Sequence, residues 1–283
     1  MAGNPRAIKG RIGNVANIAQ ITKAMNTIAM TKVMRMKRRL ETARPYGEDL
    51  ETLMSRLLGQ AADHEPHPLT VTNGSETVGV LVLNADRGLC GRYKGDVNRR
   101  AEDLLVELEP RGTILAGGDK ARVFFKRRGI VPLRTYAHVY DTPTQQASAQ
   151  IAGDLIDLYR DGQVGRVVCV HMQFISDLAQ RLVVRDLLPI QVEPEPGDWL
   201  LEPEIDGLID SVLPLYLRAA LYGAILETKT SEDAIRRQAM KNATDNAEDL
   251  IKDLTRAYNR ARQQAITLEI ADILGGSEAL RDV

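Results

Sequence analysis

Near the start of the chain, apolar residues recur at alternating spacings of four and three: Ile8, Ile12, Val15, Ala19, Thr22, Asn26, Ala29, Val33, Met36 and Leu40, with polar side chains only at the middle two positions. This spacing puts the set on one stripe of a helix. A second stripe, Ile18, Ile21, Met25 and Ile28, lies beside it and widens the apolar face. Many stripe residues are small, so a partner helix could approach closely. Pro5 suits a helix start, and the pattern predicts a coiled-coil helix over residues 1–60. The opposite end carries a matching pattern, Met240, Ala243, Ala247, Leu250, Leu254, Ala257, Ala261, Gln264, Leu268 and Ala271, with charges such as Glu248, Asp249 and Lys252 between. No proline follows Pro214. A second coiled-coil helix is predicted over 204–283, ending near the Gly275-Gly276 pair.

Between these ends the pattern changes. A polar, proline-containing stretch over 61–76 reads as a linker. VGVLVL (78–83) is a continuous apolar run, as expected of a buried parallel strand. Strands are also expected at TILAGG (113–118), near 130–133, at 164–174 and, as an edge, at 181–190. Helices are expected over 93–108, 120–128 and 145–160. Alternating strands and helices predict an α/β domain over 77–196, with a mostly parallel, Rossmann-like sheet.

Length then constrains the architecture. A helix of about 70 residues spans about 105 Å, whereas a compact domain of this whole chain is only about 50 Å across. The economical arrangement pairs the two terminal helices as an antiparallel coiled coil with the α/β domain inserted between them. Such a shaft leaves apolar surface uncovered, which implies a large partner.

Charge and composition add local detail. The net charge is −1, so the whole protein has no electrostatic case for nucleic acid. Between Asn4 and Arg44, however, Glu41 is the only acid among many bases, including Lys32, Arg35, Lys37, Arg38 and Arg39. Those bases could face an acidic partner or simply water. Cys90 and Cys169 are too few for a disulfide framework or zinc site and read as reduced intracellular thiols. The start, MAGNPRAIKGRI, lacks the apolar core of a signal peptide. The most apolar long stretch, 212–226, contains Pro214 and Arg218 and is too short to span a bilayer.

Three motifs invite chemistry. ILAGGDKAR (114–122) offers a glycine pair but neither G-x-G-x-x-G nor a P-loop. His64-Glu65-Pro66-His67 has no defined ligand spacing, and its prolines break the helix a zinc motif needs. Cys90, in DRGLCG, has no histidine or acid nearby in a nucleophile signature. No catalytic residue, cofactor or metal is therefore expected. A coiled-coil scaffold with a basic N-terminal helix is the competing reading from pattern alone.

The run AMKNATDNAEDLIKDLTRAYNRARQQAITLEIADILGGSEAL (239–280) closely resembles the C-terminal signature of F-type ATP synthase gamma subunits, in MKNATDNA, YNRARQ, AIT and the EI and GG-A elements. ITKAMNTIAM (21–30) resembles that family's N-terminal helix and ADRGLCG (85–91) its central turn. MTKVMRMKRRL (30–40), Arg92-Tyr93 and Leu268 depart from it, as a divergent branch would, and without the cysteine-bearing insert of chloroplast versions or a transit peptide a bacterial protein is expected. The resemblance implies a non-catalytic rotor shaft inside a ring of alpha and beta subunits, touching the epsilon subunit and the c-ring below. It implies a location at the cytoplasmic face of the bacterial plasma membrane, with membrane association only through the complex. Arg262 and Gln263 match positions that hydrogen-bond a beta-subunit loop. Met25, flanked by Lys23, matches a position facing the beta subunit. Ile266, Leu268, Ile270 and Ile273 match the hydrophobic bearing.

Overall fold

The computed structural model describes residues 4–279 apart from 62, 63, 140, 141, 198 and 203, with side chains described up to Leu274. Leu280, the last residue of the signature run, lies outside this range. The elements are α1 (Pro5–Gln60), β1 (Val78–Leu83), α2 (Tyr93–Glu107), β2 (Gly112–Gly117), α3 (Asp119–Arg127), β3 (Arg134–Tyr136), α4 (Gln145–Arg160), β4 (Arg166–Phe174), β5 (Gln180–Leu188) and α5 (Ile205–Ala279). The chain divides into two units, Ala29–Arg236 and the remainder, Met1–Ile28 with Arg237–Val283. Helices α1 and α5 each run through both.

The larger unit holds one five-stranded sheet in the order β3-β2-β1-β4-β5. β1 pairs in parallel with β2 and β4, β2 with β3, and only β5 runs antiparallel, against β4. The apolar run of β1 is buried at all six positions, as a central strand covered on both faces should be. One face packs Val80, Val82, Ile114, Val168 and Val170 against Val97 and Ala101 of α2 and Phe125 of α3. The other packs Leu81, Leu83, Leu115 and Val167 against Leu155 and Tyr159 of α4, Met54 and Leu57 of α1, and Leu213 and Leu217 of α5. A separate cluster joins Val33, Met36 and Leu40 of α1 to Leu226 and Ala234 of α5. Here α1 and α5 run in opposite senses, since Met54 and Leu57 share a cluster with Leu213 whereas Val33 shares one with Ala234. α5 is long and apolar enough for one stretch of it to cross a bilayer by length and composition. Its leucines Leu213, Leu217, Leu221 and Leu226 are at most 1% exposed, so part of that apolarity is taken up in packing within the larger unit.

In the smaller unit, Ile8, Ile12, Val15, Ala19 and Asn26 of α1 are partly sheltered and Thr22 is buried, along the stripe expected. On α5 the sheltered positions include Met240, Ala243, Thr244, Ala247, Ile251, Leu254, Ala257, Tyr258, Ala261 and Ala265. The expected stripe is sheltered at Met240, Ala243, Ala247, Leu254, Ala257 and Ala261, but Leu250 is 43% exposed and Gln264, Leu268 and Ala271 are exposed too, while Ile251 and Ala265 are sheltered beside it. Thr244 enters the stripe because its hydroxyl meets that of Thr22 at 2.7 Å.

Two further expectations are corrected. The third strand lies at Arg134–Tyr136 rather than 130–133. α5 continues through Gly275-Gly276 to Ala279, since each glycine weakens a helix by about 1 kcal/mol without forbidding it.

Candidate functional site

In doubly wound sheets a ligand would sit beyond the carboxyl ends of the strands, against a helix N-terminus. That place is filled by the chain itself. After β1, Asn84 donates to the carbonyl of Lys94 (3.0 Å) and to Asn98 Oδ1 (2.6 Å). The Asp86 carboxylate accepts from the backbone N–H of Asp119 at the start of α3 (2.9 Å) and from that of His138 (3.2 Å). A side-chain carboxylate thus occupies the position a nucleotide phosphate would need. Gly118 belongs to the same closure: its φ is +92°, and a Cβ there would lie 2.2 Å from the Asn84 carbonyl oxygen. The glycine pair that suggests nucleotide binding serves the backbone.

The remaining chemically suggestive groups are also tied internally. Cys169 and Cys90 are free and buried; burial pushes the Cys169 thiol up to about 12 and raises that of Cys90. Buried His171 lies 3.2 Å from Glu227, which also accepts from Arg44 at 2.9 Å. Burial raises the Glu227 carboxyl, but the bonds from His171 and Arg44 outweigh it and hold the group below its ordinary value. His67 accepts the Leu69 N–H at Nδ1 (3.1 Å), so its proton sits on Nε2, 3.1 Å from Asp210. Among the described residues no group of three or more histidine, cysteine or acidic side chains could hold a metal ion.

What remains is surface. Lys23 is exposed and Met25 half-buried on α1. Met25 lies on the second stripe with Ile18, Ile21 and Ile28, which are 53%, 60% and 57% exposed. On α5, Arg262 and Gln263 are exposed, and Ile266, Leu268, Ile270 and Ile273 are 43%, 63%, 52% and 71% exposed. At about 100° per residue, Arg262, Gln263, Ile266, Ile270 and Ile273 fall on one arc of about 100°. Leu274, 61% exposed and absent from the expected set, extends that arc. Leu268 points the other way, on the line of buried Ala261. The structure therefore brings five of the six α5 residues together and leaves Leu268 apart. Of the basic run on α1, Arg35, Lys37 and Arg38 are exposed. Arg39 is half-buried, donating to the Pro143 carbonyl (2.6 Å) and to Tyr222 (2.9 Å). Arg38, Arg39, Tyr46, Arg218 and Tyr222 border an open groove of about 550 Å³.

A family model described as ATP synthase matches residues 4–280. The ATP synthase gamma chain of Symbiobacterium thermophilum is 37% identical over 288 residues, covering 99% of this chain and all of the relative. That of Mycolicibacterium smegmatis is 37% identical, covering 99% of both chains. Among solved structures, a chain of the Euglena gracilis mitochondrial ATP synthase OSCP/F1/c-ring assembly aligns with a TM-score of 0.67 at 17% identity, covering 98% of this chain and 94% of that one. One from the rotor of the same enzyme gives 0.64 at 19% identity, covering 93% and 98%. Match over the full length, at this identity, with the same long helices and mixed sheet, places this chain in the ATP synthase gamma chain family.

Proposed function

We infer that this chain is the central rotor shaft of an F-type ATP synthase, coupling ion-driven rotation of the c-ring to conformational change in the catalytic beta subunits. In this reading α1 and α5 form an antiparallel coiled coil, residues 1–60 and 204–283. A linker over 61–76 leads into a Rossmann-like domain over 77–196, whose strand order follows the first half of a doubly wound sheet. The shaft stands in the ring of alpha and beta subunits, and the α/β domain meets the epsilon subunit and the c-ring. The complex sits at the cytoplasmic face of the bacterial plasma membrane, and this chain holds no catalytic site of its own.

The observation that carries the reading is the exposed arc on α5. A helix bearing Ile266, Ile270 and Ile273 at 43–71% exposure needs an apolar surround. Arg262 and Gln263, one turn earlier on that arc, are free to hydrogen-bond a beta-subunit loop. Lys23 and Met25 face the beta subunit on the α1 side. Leu268 completes the bearing from the opposite side of the helix. The shaft has no threefold symmetry, so each beta subunit meets a different face of it. That difference in contact favours open or closed nucleotide sites in turn.

Co-expression with the alpha and beta subunits of the same source tests this. The expected product contains one copy of this chain per hexamer, and its ATPase falls on deleting residues 263–283. Elution alone or as a homo-oligomer would leave the basic coiled-coil scaffold as the better reading, with strongly salt-dependent nucleic acid binding as its signature.

A further inference from the structure

The densest set of buried charges lies on two turns of α5 inside the larger unit. Lys229, Glu232, Asp233 and Arg236 are 4%, 1%, 0% and 9% exposed. Two cations balance two anions. Lys229 Nζ lies 3.1 Å from Glu232 and 3.6 Å from Asp233, and Arg236 bridges the same two carboxylates. All four pairs are internal to one helix, so on their own they fasten α5 to nothing. The fastening comes from their surroundings. Arg236 reaches the Gly88 carbonyl in the turn after β1 through Nε (3.4 Å) and Nη2 (3.3 Å). Ser231 donates to the Met172 carbonyl of β4 (3.2 Å), and Tyr93 of α2 donates to the Thr228 carbonyl (3.4 Å).

Such a set is a poor source of stability. Desolvation consumes most of the attraction, and apolar residues of similar volume often serve as well or better. Its effect on geometry is different. An apolar interface tolerates a helix that slides or turns a little. Here a shift of one residue, about 1.5 Å along and 100° around, would strip Arg236 from Gly88. It would also turn these charges towards apolar side chains of the elements around α5, such as Val33 of α1 and Phe174 of β4, which are at most 3% exposed.

We propose that Lys229, Glu232, Asp233 and Arg236 are positioning residues that fix the axial register and rotational setting of α5 against the sheet, so that torque on the α/β domain turns α5 instead of slipping past it. The proposal rests on the shaft reading. It assigns the step at which rotation of the globular part becomes rotation of the helix to a neutral ion cluster rather than to the apolar core around it.

The test compares the wild-type complex with one carrying Lys229→Met, Glu232→Met, Asp233→Leu and Arg236→Met together, which leaves no buried charge unpaired. Both are reconstituted in vesicles, and ATP hydrolysis and ATP-driven ion pumping are measured against an increasing opposing gradient. Assembly and thermal midpoint are expected to match or exceed wild type, with hydrolysis unchanged. Ions pumped per ATP should fall by about threefold or more near the stalling gradient. An unchanged ratio overturns the proposal. Should the fourfold variant not assemble, Arg236→Lys decides: it keeps the charge but loses the two-nitrogen reach to Gly88. A lowered ratio with normal assembly supports the proposal, and a wild-type ratio overturns it. Failure of the unsubstituted chain to give coupled pumping would instead count against the shaft reading.

Discussion

The Thr22–Thr244 contact gives a prediction whose size can be worked out from proton counting. The two hydroxyl oxygens are 2.7 Å apart. Thr22 also lies 3.1 Å from the Ala19 carbonyl and Thr244 2.9 Å from the Met240 carbonyl. Two hydroxyl protons serve three contacts, so one threonine donates across the helix pair and the other donates to its own helix. Thr22→Val removes the cross-helix bond but leaves Thr244 bonded to Met240. Thr244→Val leaves Thr22 bonded to Ala19. Each single replacement should therefore cost about 1 kcal/mol, the net worth of one hydrogen bond. The double replacement removes both polar groups while keeping their shape. It should cost no more than either single change and could be neutral. The predicted coupling energy is thus about 1 to 2 kcal/mol in magnitude, above the scatter of such cycles. The assay is urea unfolding of the full chain followed by far-UV circular dichroism for all four members of the cycle. Costs that simply add would show that no bond crosses between the helices.

Other consequences follow from the same geometry. Leu217, 1% exposed in the main core, should cost about 2–5 kcal/mol when changed to Ala, read as a lower urea midpoint with an unchanged slope. Burial lowers the His67 pKa from 6.5, against the attraction of Asp210. Its stabilising share is then complete above pH 6.5 and is lost as pH falls through the folded value; the thermal midpoint should drop between about pH 7.5 and about pH 5, by less in His67→Gln. The Cys169 thiol, raised to about 12 by burial, should resist iodoacetamide at neutral pH until the chain unfolds. Ile270→Asp, at a site 52% exposed, should change stability of the free chain by no more than about 0.5 kcal/mol while lowering ATPase of the assembled complex.

Much of the fold was legible because burial and hydrophobicity coincide in it. β1 is apolar at every position and buried at every position, and the α1 stripe from Ile8 to Leu40 is the sheltered one. On α5, residues 250 and 251 are both apolar, and periodicity alone cannot choose between them. The choice falls to Thr244, whose polarity hides its inward position. β3 was misplaced because apolar Val131 is 84% exposed, while the edge strand that pairs with β2 is Arg134-Thr135-Tyr136. Charged side chains normally read as surface, which is why Lys229, Glu232, Asp233 and Arg236 gave no sign of burial. Their i, i+3 and i, i+4 spacing was the available signal. Among the site residues, helical periodicity would have grouped Arg262, Gln263, Ile266, Ile270 and Ile273 and set Leu268 aside.

The central claim, that this chain is a shaft, is tested most directly by watching it turn. Cys90 and Cys169 are buried, so Val131→Cys, at a site 84% exposed, offers a selective point for attaching a bead. In a surface-immobilised complex with the alpha and beta subunits, ATP should drive unidirectional rotation of the bead in steps of a third of a turn, stopping when ATP is withdrawn. An assembly that hydrolyses ATP while the bead shows only undirected motion would contradict the account.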